Sequence, residues 1–539
     1  MASIQSSTFS SPIDSQVHAP EIAPMDSVYD AVPYGSYPIA SSHPDKLFAV
    51  AKLFGMNPVL PERARILELG CAGGGNLIPI ASQFPNAVCH GVELSAAQCE
   101  AANVAIQYVG LSNIKIQQGS IADITSDLGK FDYILCHGVF SWVPEFVREA
   151  ILRVASENLS ENGVAYISYN TFPGWYQRGM VRDMMLRHVS GITDPVAKIA
   201  QARALLNFLA KSSATHTTPY AAYLRSEAEF LEKQPDLYLF HDHLEEHNKP
   251  YFFQDFVKFA SHYGLQFLGE SSLSSMWAGN LGAETSKKLG DVSDAVVSGH
   301  YMDCIVGRSF RETLLVHNGV PISRNLDSSR FGDIRFLGSF QVEPAKTSEG
   351  SDLGTGFKTK NGQTIYSNDK PTQLAFAALN NAFPGSLSIE QVCHAMEAGI
   401  DATSPVTIDK QRTVATLMQW VLTGYIDLRF QPDRMAVAGT KKPKAARWAR
   451  SQARAGRYVT NLRHDFIALN DVDRHILILM DGNRDVKQIA IEIGGMIASG
   501  AIKVENPDAV VGKKARELPL RIAEQAIAGF AKLALLMPE

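Results

Sequence analysis

The 539-residue chain is short of several things at once. It has six cysteines (Cys71, Cys89, Cys99, Cys136, Cys304 and Cys393), and no two of them form a C-x-x-C pair. That speaks against a disulfide framework or a zinc ribbon and points to reduced, mostly buried thiols in a cytoplasmic protein. No run of about 18 apolar residues occurs, so no membrane-spanning helix and no membrane partner are expected. The N-terminus lacks the basic-then-apolar order of a secretion signal. Neither sign of charge is in large excess: 50 Lys and Arg against 55 Asp and Glu leave a formal charge of −5, which gives the whole molecule no pull on nucleic acid. No internal repeat is visible. What remains is a composition of 45% hydrophobic and 19% charged residues, enough for buried cores, in a chain too long for one core.

Residues 1–24, rich in Ser, Pro and Ala, read as a flexible tail. An aromatic arm follows, with Tyr29, Tyr34 and Tyr37 among prolines, and then a helix from about Asp45 to Phe54. Short β-branched runs at Arg65–Leu69, Val88–Val92, Ile114–Ile116, Tyr133–Cys136 and Val164–Ser168 alternate with segments of helical period. That alternation predicts an α/β fold: a parallel, doubly wound, Rossmann-like sheet over 25–175 and 249–318. Leu265–Leu268 and Met302–Val306 are expected as its last two strands, after a helical insertion at 176–248. A composition shift near 319 opens a mostly helical C-terminal domain in two parts, 319–440 and 458–539. Between them, 441–457 carries Lys441, Lys442, Lys444, Arg447, Arg450, Arg454 and Arg457 with little apolar content, and reads as a solvated basic linker.

The first strand runs into Glu68-Leu69-Gly70-Cys71-Ala72-Gly73-Gly74-Gly75-Asn76, and a helix follows. Glycines at such a junction let the backbone pass close to a ligand and point N–H groups at it. The dinucleotide pattern Gly-x-Gly-x-x-Gly is not met, because Ala72 holds its middle position. Glu68 would repel a pyrophosphate but suits a cofactor bearing an amino group and a sulfonium. Glu93, at the end of the second strand and about 20 residues past the loop, can accept both hydroxyls of a ribose. Gln118–Asp123 and Cys136–Pro144 end the third and fourth strands at the same sheet edge.

The segment Glu68–Gly74 together with Glu93 resembles the class I S-adenosylmethionine-dependent methyltransferases. The resemblance implies S-adenosylmethionine as cofactor and S-adenosylhomocysteine as product. Its carriers would be Glu68, Gly70, Cys71, Gly73, Gly74 and Asn76, then Glu93 with Leu94, then Ser120, Ile121 and His137. Ser120 stands where many relatives carry an acid for the adenine amine. A narrower likeness rests on Tyr29–Tyr34, Ser42-His43-Pro44, His137–Pro144, Tyr169–Trp175, His241–Leu244 and Asn248–Phe253. These look like the bacterial methyltransferases with a methyltransferase regulatory domain, a group that includes rickettsial-type protein lysine methyltransferases. That implies a protein substrate and an acceptor lysine, and leaves an oligomer open.

A lysine must lose a proton before it can accept a methyl group, at a cost of roughly 4–5 kcal/mol at neutral pH. An aromatic slot that excludes water suits this task. Tyr34, His137 and Trp142 are the candidate catalytic residues, and Tyr29, Phe140, Trp142, Tyr169 and Trp175 the candidate substrate contacts. His241, His243 and His247 have a spacing that could suggest metal, but a packed helix accounts for it and no metal is expected. The rival functions are methylation of a small molecule, a non-catalytic S-adenosylmethionine-binding regulator, and a nicotinamide oxidoreductase.

Overall fold

The computed structural model describes residues 35–326, 328–348, 351–359, 362–401, 406–436, 440–502 and 513–538. The expected tail at 1–24, Tyr29 and Tyr34 lie outside the described residues.

Seven strands form the main sheet: β1 (Arg65–Leu69), β2 (Val88–Glu93), β3 (Ile114–Gln118), β4 (Phe131–Cys136), β5 (Leu159–Asn170), β6 (Leu265–Glu270) and β7 (Phe310–His317). Their order is β3-β2-β1-β4-β5-β7-β6. The first five pair in parallel, and β7 runs antiparallel to both β5 and β6. In β1 every residue after Arg65 is buried, because helices cover both faces of the sheet; the apolar run read in the sequence has this cause. The helices of this half are α1 (Pro44–Leu53), α2 (Leu77–Gln83), α3 (Ala96–Val109), α4 (Glu145–Glu157), α5 (Gly174–His188), α6 (Pro195–Ser212), α7 (Pro219–Glu232), α8 (Asp236–His243), α9 (Phe253–His262), α10 (Ala283–Gly290) and α11 (Ala295–Val306). The chain winds outward from β1 through β2 to β3, then returns to lay β4 on the other side of β1. The crevice at that reversal, beyond the carboxyl ends of the strands, is where such sheets bind ligands.

One expected strand is a helix. Met302–Val306 forms the last turns of α11, and the strand that completes the sheet lies just beyond it, at Phe310–His317. A run of five residues, apolar but for Asp303, does not distinguish strand from helix. The decisive signals flank it: the Asp294 carboxylate accepts from the Val296 and Val297 N–H groups, and Gly307 closes the helix at φ +61°.

The helices α5–α8 have a small core of their own, including Val181, Met185, Leu206, Leu224, Leu231 and Leu239. Among the described residues, the C-terminal half has no core separate from the sheet domain. Leu47, Leu53, Tyr166 and Leu314 share one continuous core with Phe336, Phe376, Leu417 and Leu428. On another side, Cys99, Ala102 and Ile106 of α3 pack with Trp448, Ala449, Ile476 and Phe530. Helices dominate this half, with short strands among them, including a three-stranded sheet of Phe340–Glu343, Thr355–Thr359 and Thr364–Ser367.

The basic segment at 441–457 is not a solvated linker. Its centre is the helix Arg447–Ala455, with Trp448, Ala449 and Ala453 buried. Three of its arginines are tied to neighbours: Arg447 donates to the Val109 carbonyl at 3.2 Å, Arg450 to the Ile478 carbonyl at 3.2 Å and Arg454 to the Tyr108 hydroxyl at 2.9 Å. Small alanines make an apolar stripe that a count of large hydrophobic residues passes over.

Candidate functional site

The turn after β1 is shaped by close packing. Gly70 has φ +70°, and a Cβ there would meet Val139 at 2.6 Å. Ala72 adopts φ +46°, left-handed backbone that a residue with a Cβ enters only at a cost of about 1–2 kcal/mol. Its reward is visible: the Ala72 N–H donates to Glu93 Oε2 at 2.8 Å. The Ser95 N–H donates to Glu93 Oε1 at 3.0 Å. Two of the roughly four acceptor sites of this carboxylate are thereby used, and the carboxylate is fixed in orientation with capacity left for a ligand.

A cavity of about 330 Å³ opens at the carboxyl ends of the parallel strands. Of the expected cofactor residues, Gly70, Glu93, Leu94, Ser120, Ile121 and His137 line it. Cys71, Gly73 and Gly74 do not. They form the back of the turn, where the Cys71 thiol is buried beneath Gly91 and a Cβ on Gly74 would meet Ile78 and Ile116. Glu68 and Asn76 are also absent from the wall. Glu68 lies 4% exposed behind it, with Oε1 accepting from Asn76 Nδ2 at 2.8 Å. Burial pushes its pKa up to about 8, so the carboxyl group keeps its proton at neutral pH. Its Oε2 has no partner. Asp123 is exposed and away from the cavity, so it does not supply the acid missing at Ser120.

His137, at the end of β4, lines the cavity and heads a buried relay. Its Nδ1 lies 2.8 Å from the Tyr166 hydroxyl, which donates to Glu312 Oε1 at 2.9 Å. The Ser41 hydroxyl donates to the same carboxylate oxygen at 2.5 Å. Because Tyr166 spends its proton on Glu312, Nδ1 of His137 is the donor and Nε2 the lone-pair nitrogen. Desolvation lowers the His137 pKa, partly offset by Glu312, so the ring is neutral at pH 7. Tyr166 and Glu312 were not singled out from the sequence. Only the pairing of β5 with β7, in which Tyr166 faces Leu314, brings them together.

The aromatic candidates divide. Trp142 lines the cavity. Phe140 does not: it is fully buried among Tyr169, Tyr251 and Phe256. Tyr169 is stacked on Phe256 at 3.8 Å in the same core, its hydroxyl 3.2 Å from Thr313. Trp175 is buried too and touches the site only through the edge of Trp142, at 5.7 Å. Phe146, half exposed on the rim, is an aromatic the sequence reading missed.

The insertion also reaches the cavity, through His241 and Glu245. Arg182 of α5 holds the segment in place by donating to the Glu245 carbonyl and, at 3.2 Å, to that of Glu246. Desolvation raises the Glu245 pKa. His243 faces the insertion's interior instead, 3.6 Å from Glu227, and among the described residues no three His, Cys, Asp or Glu are grouped to hold a metal.

Comparison with known proteins adds three family matches. A methyltransferase domain model matches residues 66–163, a predicted methyltransferase regulatory domain matches 235–317, and the C-terminal winged helix domain of PKMT matches 441–535. The second takes in α8 and the last two strands of the sheet as well as the end of the insertion. The third includes the basic helix. An uncharacterized protein of Rickettsia prowazekii is 40% identical over 504 residues, 89% of each chain. The structure of PKMT2 from Rickettsia typhi is 30% identical, covers 94% of this chain and 100% of its own, and superposes with a TM-score of 0.84. Its complex with AdoHcy gives a TM-score of 0.83.

Proposed function

This chain belongs to the S-adenosylmethionine-dependent methyltransferases that carry a methyltransferase regulatory domain, and we propose that its methyl acceptor is the lysine side chain of a protein. The residues present fit the cofactor. Glu93 has acceptor capacity left for a ribose diol, the cavity is large enough for a nucleoside, and its wall is apolar at Leu94 and Ile121, where an adenine would rest. When bound, S-adenosylmethionine supplies a methyl group on a sulfonium and leaves as S-adenosylhomocysteine.

One observation carries the choice of acceptor: a neutral histidine on a Tyr166–Glu312 relay, beside Trp142 in one cavity. A lysine arrives as an ammonium and must shed a proton. The indole face of Trp142 suits the approach of a cation and its aliphatic stem. His137 Nε2 takes the proton, and Glu312, through Tyr166, stabilises the imidazolium that forms. His137 and Trp142 would hold the freed Nζ lone pair toward the methyl group that S-adenosylmethionine supplies, and this positioning would be the protein's main contribution to the rate. Trp142 and His137 touch the acceptor in this reading. Phe140, Tyr169 and Trp175 act only as the packing behind them. We place the activity in the cytoplasm, since all six cysteines are free thiols.

The test is to incubate the full chain with methyl-labelled S-adenosylmethionine and, separately, the protein and small-molecule fractions of a bacterial lysate. Acid hydrolysis of the labelled product should yield N-methylated lysine from the protein fraction. Label confined to the small-molecule fraction would replace the acceptor, and cofactor binding without any turnover would reduce the protein to a sensor.

A further inference from the structure

We propose that His464, in the C-terminal winged helix region, is a positioning residue that clamps the glycine turn of the cofactor cavity by its hydrogen bond to Asn76. The inference rests on the cofactor reading above and extends it to a part of the chain that does not line the cavity.

Asn76 ends the glycine turn and precedes α2. Its side chain is 4% exposed and bonds four residues in three segments. Oδ1 accepts from the Ile39 N–H at 2.8 Å and lies 2.6 Å from His464 Nε2. Nδ2 donates to Ser42 Oγ at 3.1 Å and to Glu68 Oε1 at 2.8 Å. Because a backbone N–H can only donate, Oδ1 is fixed as the acceptor, and His464 must donate from Nε2. Every bond the amide can make is then made, and the only one supplied by the C-terminal half is that of His464.

His464 is built for the reach. It is fully buried, and its backbone sits at φ +66°, left-handed for a residue with a Cβ. It lies between the strands Tyr458–Thr460 and Phe466–Ala468, which pair as a hairpin. The same hairpin grips the arm that covers the turn. Tyr37 packs edge-on against Phe466 at 4.9 Å and Tyr458 at 6.2 Å, while the neighbouring Ser36 Oγ accepts from the Gly75 N–H at 2.6 Å. A Cβ on Gly75 would strike the Ser36 backbone at 2.3 Å. The turn is thus pinned at its far end by Asn76 and at its near end by the Ala72–Glu93 bond that orients the ribose acceptor. Loss of the far pin loosens the near one, so the C-terminal half sets cofactor affinity without touching the cofactor.

The experiment measures S-adenosylhomocysteine binding by calorimetry, and kcat and KM for S-adenosylmethionine, in the full-length protein and two variants. His464→Ala removes the donor; His464→Gln restores one at a similar reach. The expected result is a Kd and KM raised about tenfold in His464→Ala, restored to within about threefold by His464→Gln, with kcat little changed. Wild-type affinity in His464→Ala would overturn the clamp. Equal losses in both variants would also overturn it, by reducing His464 to packing. If the wild-type protein itself fails to bind S-adenosylhomocysteine, the cofactor reading falls instead.

Discussion

The helical insertion and the C-terminal half both attach to the catalytic sheet, and they do so in opposite ways. The insertion sends His241 and Glu245 into the cavity, yet keeps a core of its own. Among the described residues the C-terminal half puts no side chain into that cavity, yet it shares its largest core with α1, β5 and β7. One region touches the ligand space and is mechanically separable; the other stands off and is fused to the frame. Proximity to a site and control over its geometry are therefore different properties, and here they belong to different regions.

The sharpest way to break this contrast is at the two cores. Phe48 of α1 packs on Phe430 at 4.2 Å across the shared core. Phe48→Ala should cost about 3–5 kcal/mol and lower a single thermal transition of sheet and C-terminal half together. Leu239→Ala, in the insertion's core, should cost about 2–5 kcal/mol but only locally, with hydrogen exchange accelerated in α5–α8 and the sheet still protected. Two separate transitions in the first variant would unmake the fused-frame description.

Glu68 tests the frame from within. Its folded-state pKa is raised to about 8, so the folded protein holds a proton that the unfolded chain releases at the ordinary carboxyl value. The stability from this group is complete below that ordinary value and is lost as pH rises toward 8. Glu68→Gln should remove the loss. It should leave the variant more stable than wild type at pH 8 by a few kcal/mol and nearly equal at pH 4, since each tenfold change in acidity is worth about 1.4 kcal/mol. A difference independent of pH in chemical denaturation would mean that Glu68 is charged.

Smaller effects are expected at the ligand. Glu93→Ala should weaken S-adenosylmethionine by on the order of 1–3 kcal/mol, because the ribose hydroxyls lose their acceptor. Glu245→Ala should change affinity by about 1 kcal/mol or less, as befits a segment that closes over the cavity rather than building it. Reversal of that order in calorimetry would make the insertion the principal binding element.

The sheet and the cofactor edge were legible because local patterns dictate them: β-branched runs, a glycine turn, and a carboxylate about 20 residues on. Met302–Val306 misled because so short a segment, apolar but for Asp303, carries no period, and Asp294 and Gly307 had to be weighed with it. Glu68 and Asn76 belong to the right motif but do not line the cavity: strand alternation turns Glu68 to the other face of β1, and the Asn76 amide is spent on Ile39, Ser42, Glu68 and His464. Phe140 stands next to the cavity residue Val139 in sequence, yet it and Tyr169 are both drawn into the core around Phe256. The Tyr166–Glu312 relay and the His464 bond join positions 146 and 388 residues apart, and no local pattern encodes either.

The shared core also has a consequence for biosynthesis. The helix α1 covers one face of the sheet and is itself packed against residues between Phe331 and Leu428. A ribosome adds about 5–20 residues per second, so on the order of ten seconds separate the emergence of β7 from that of its last covering strand. During that interval the nascent chain presents the apolar outer side of α1, Phe48 included, to its surroundings. Its yield in a cell should therefore depend on chaperone supply more than its final stability would suggest.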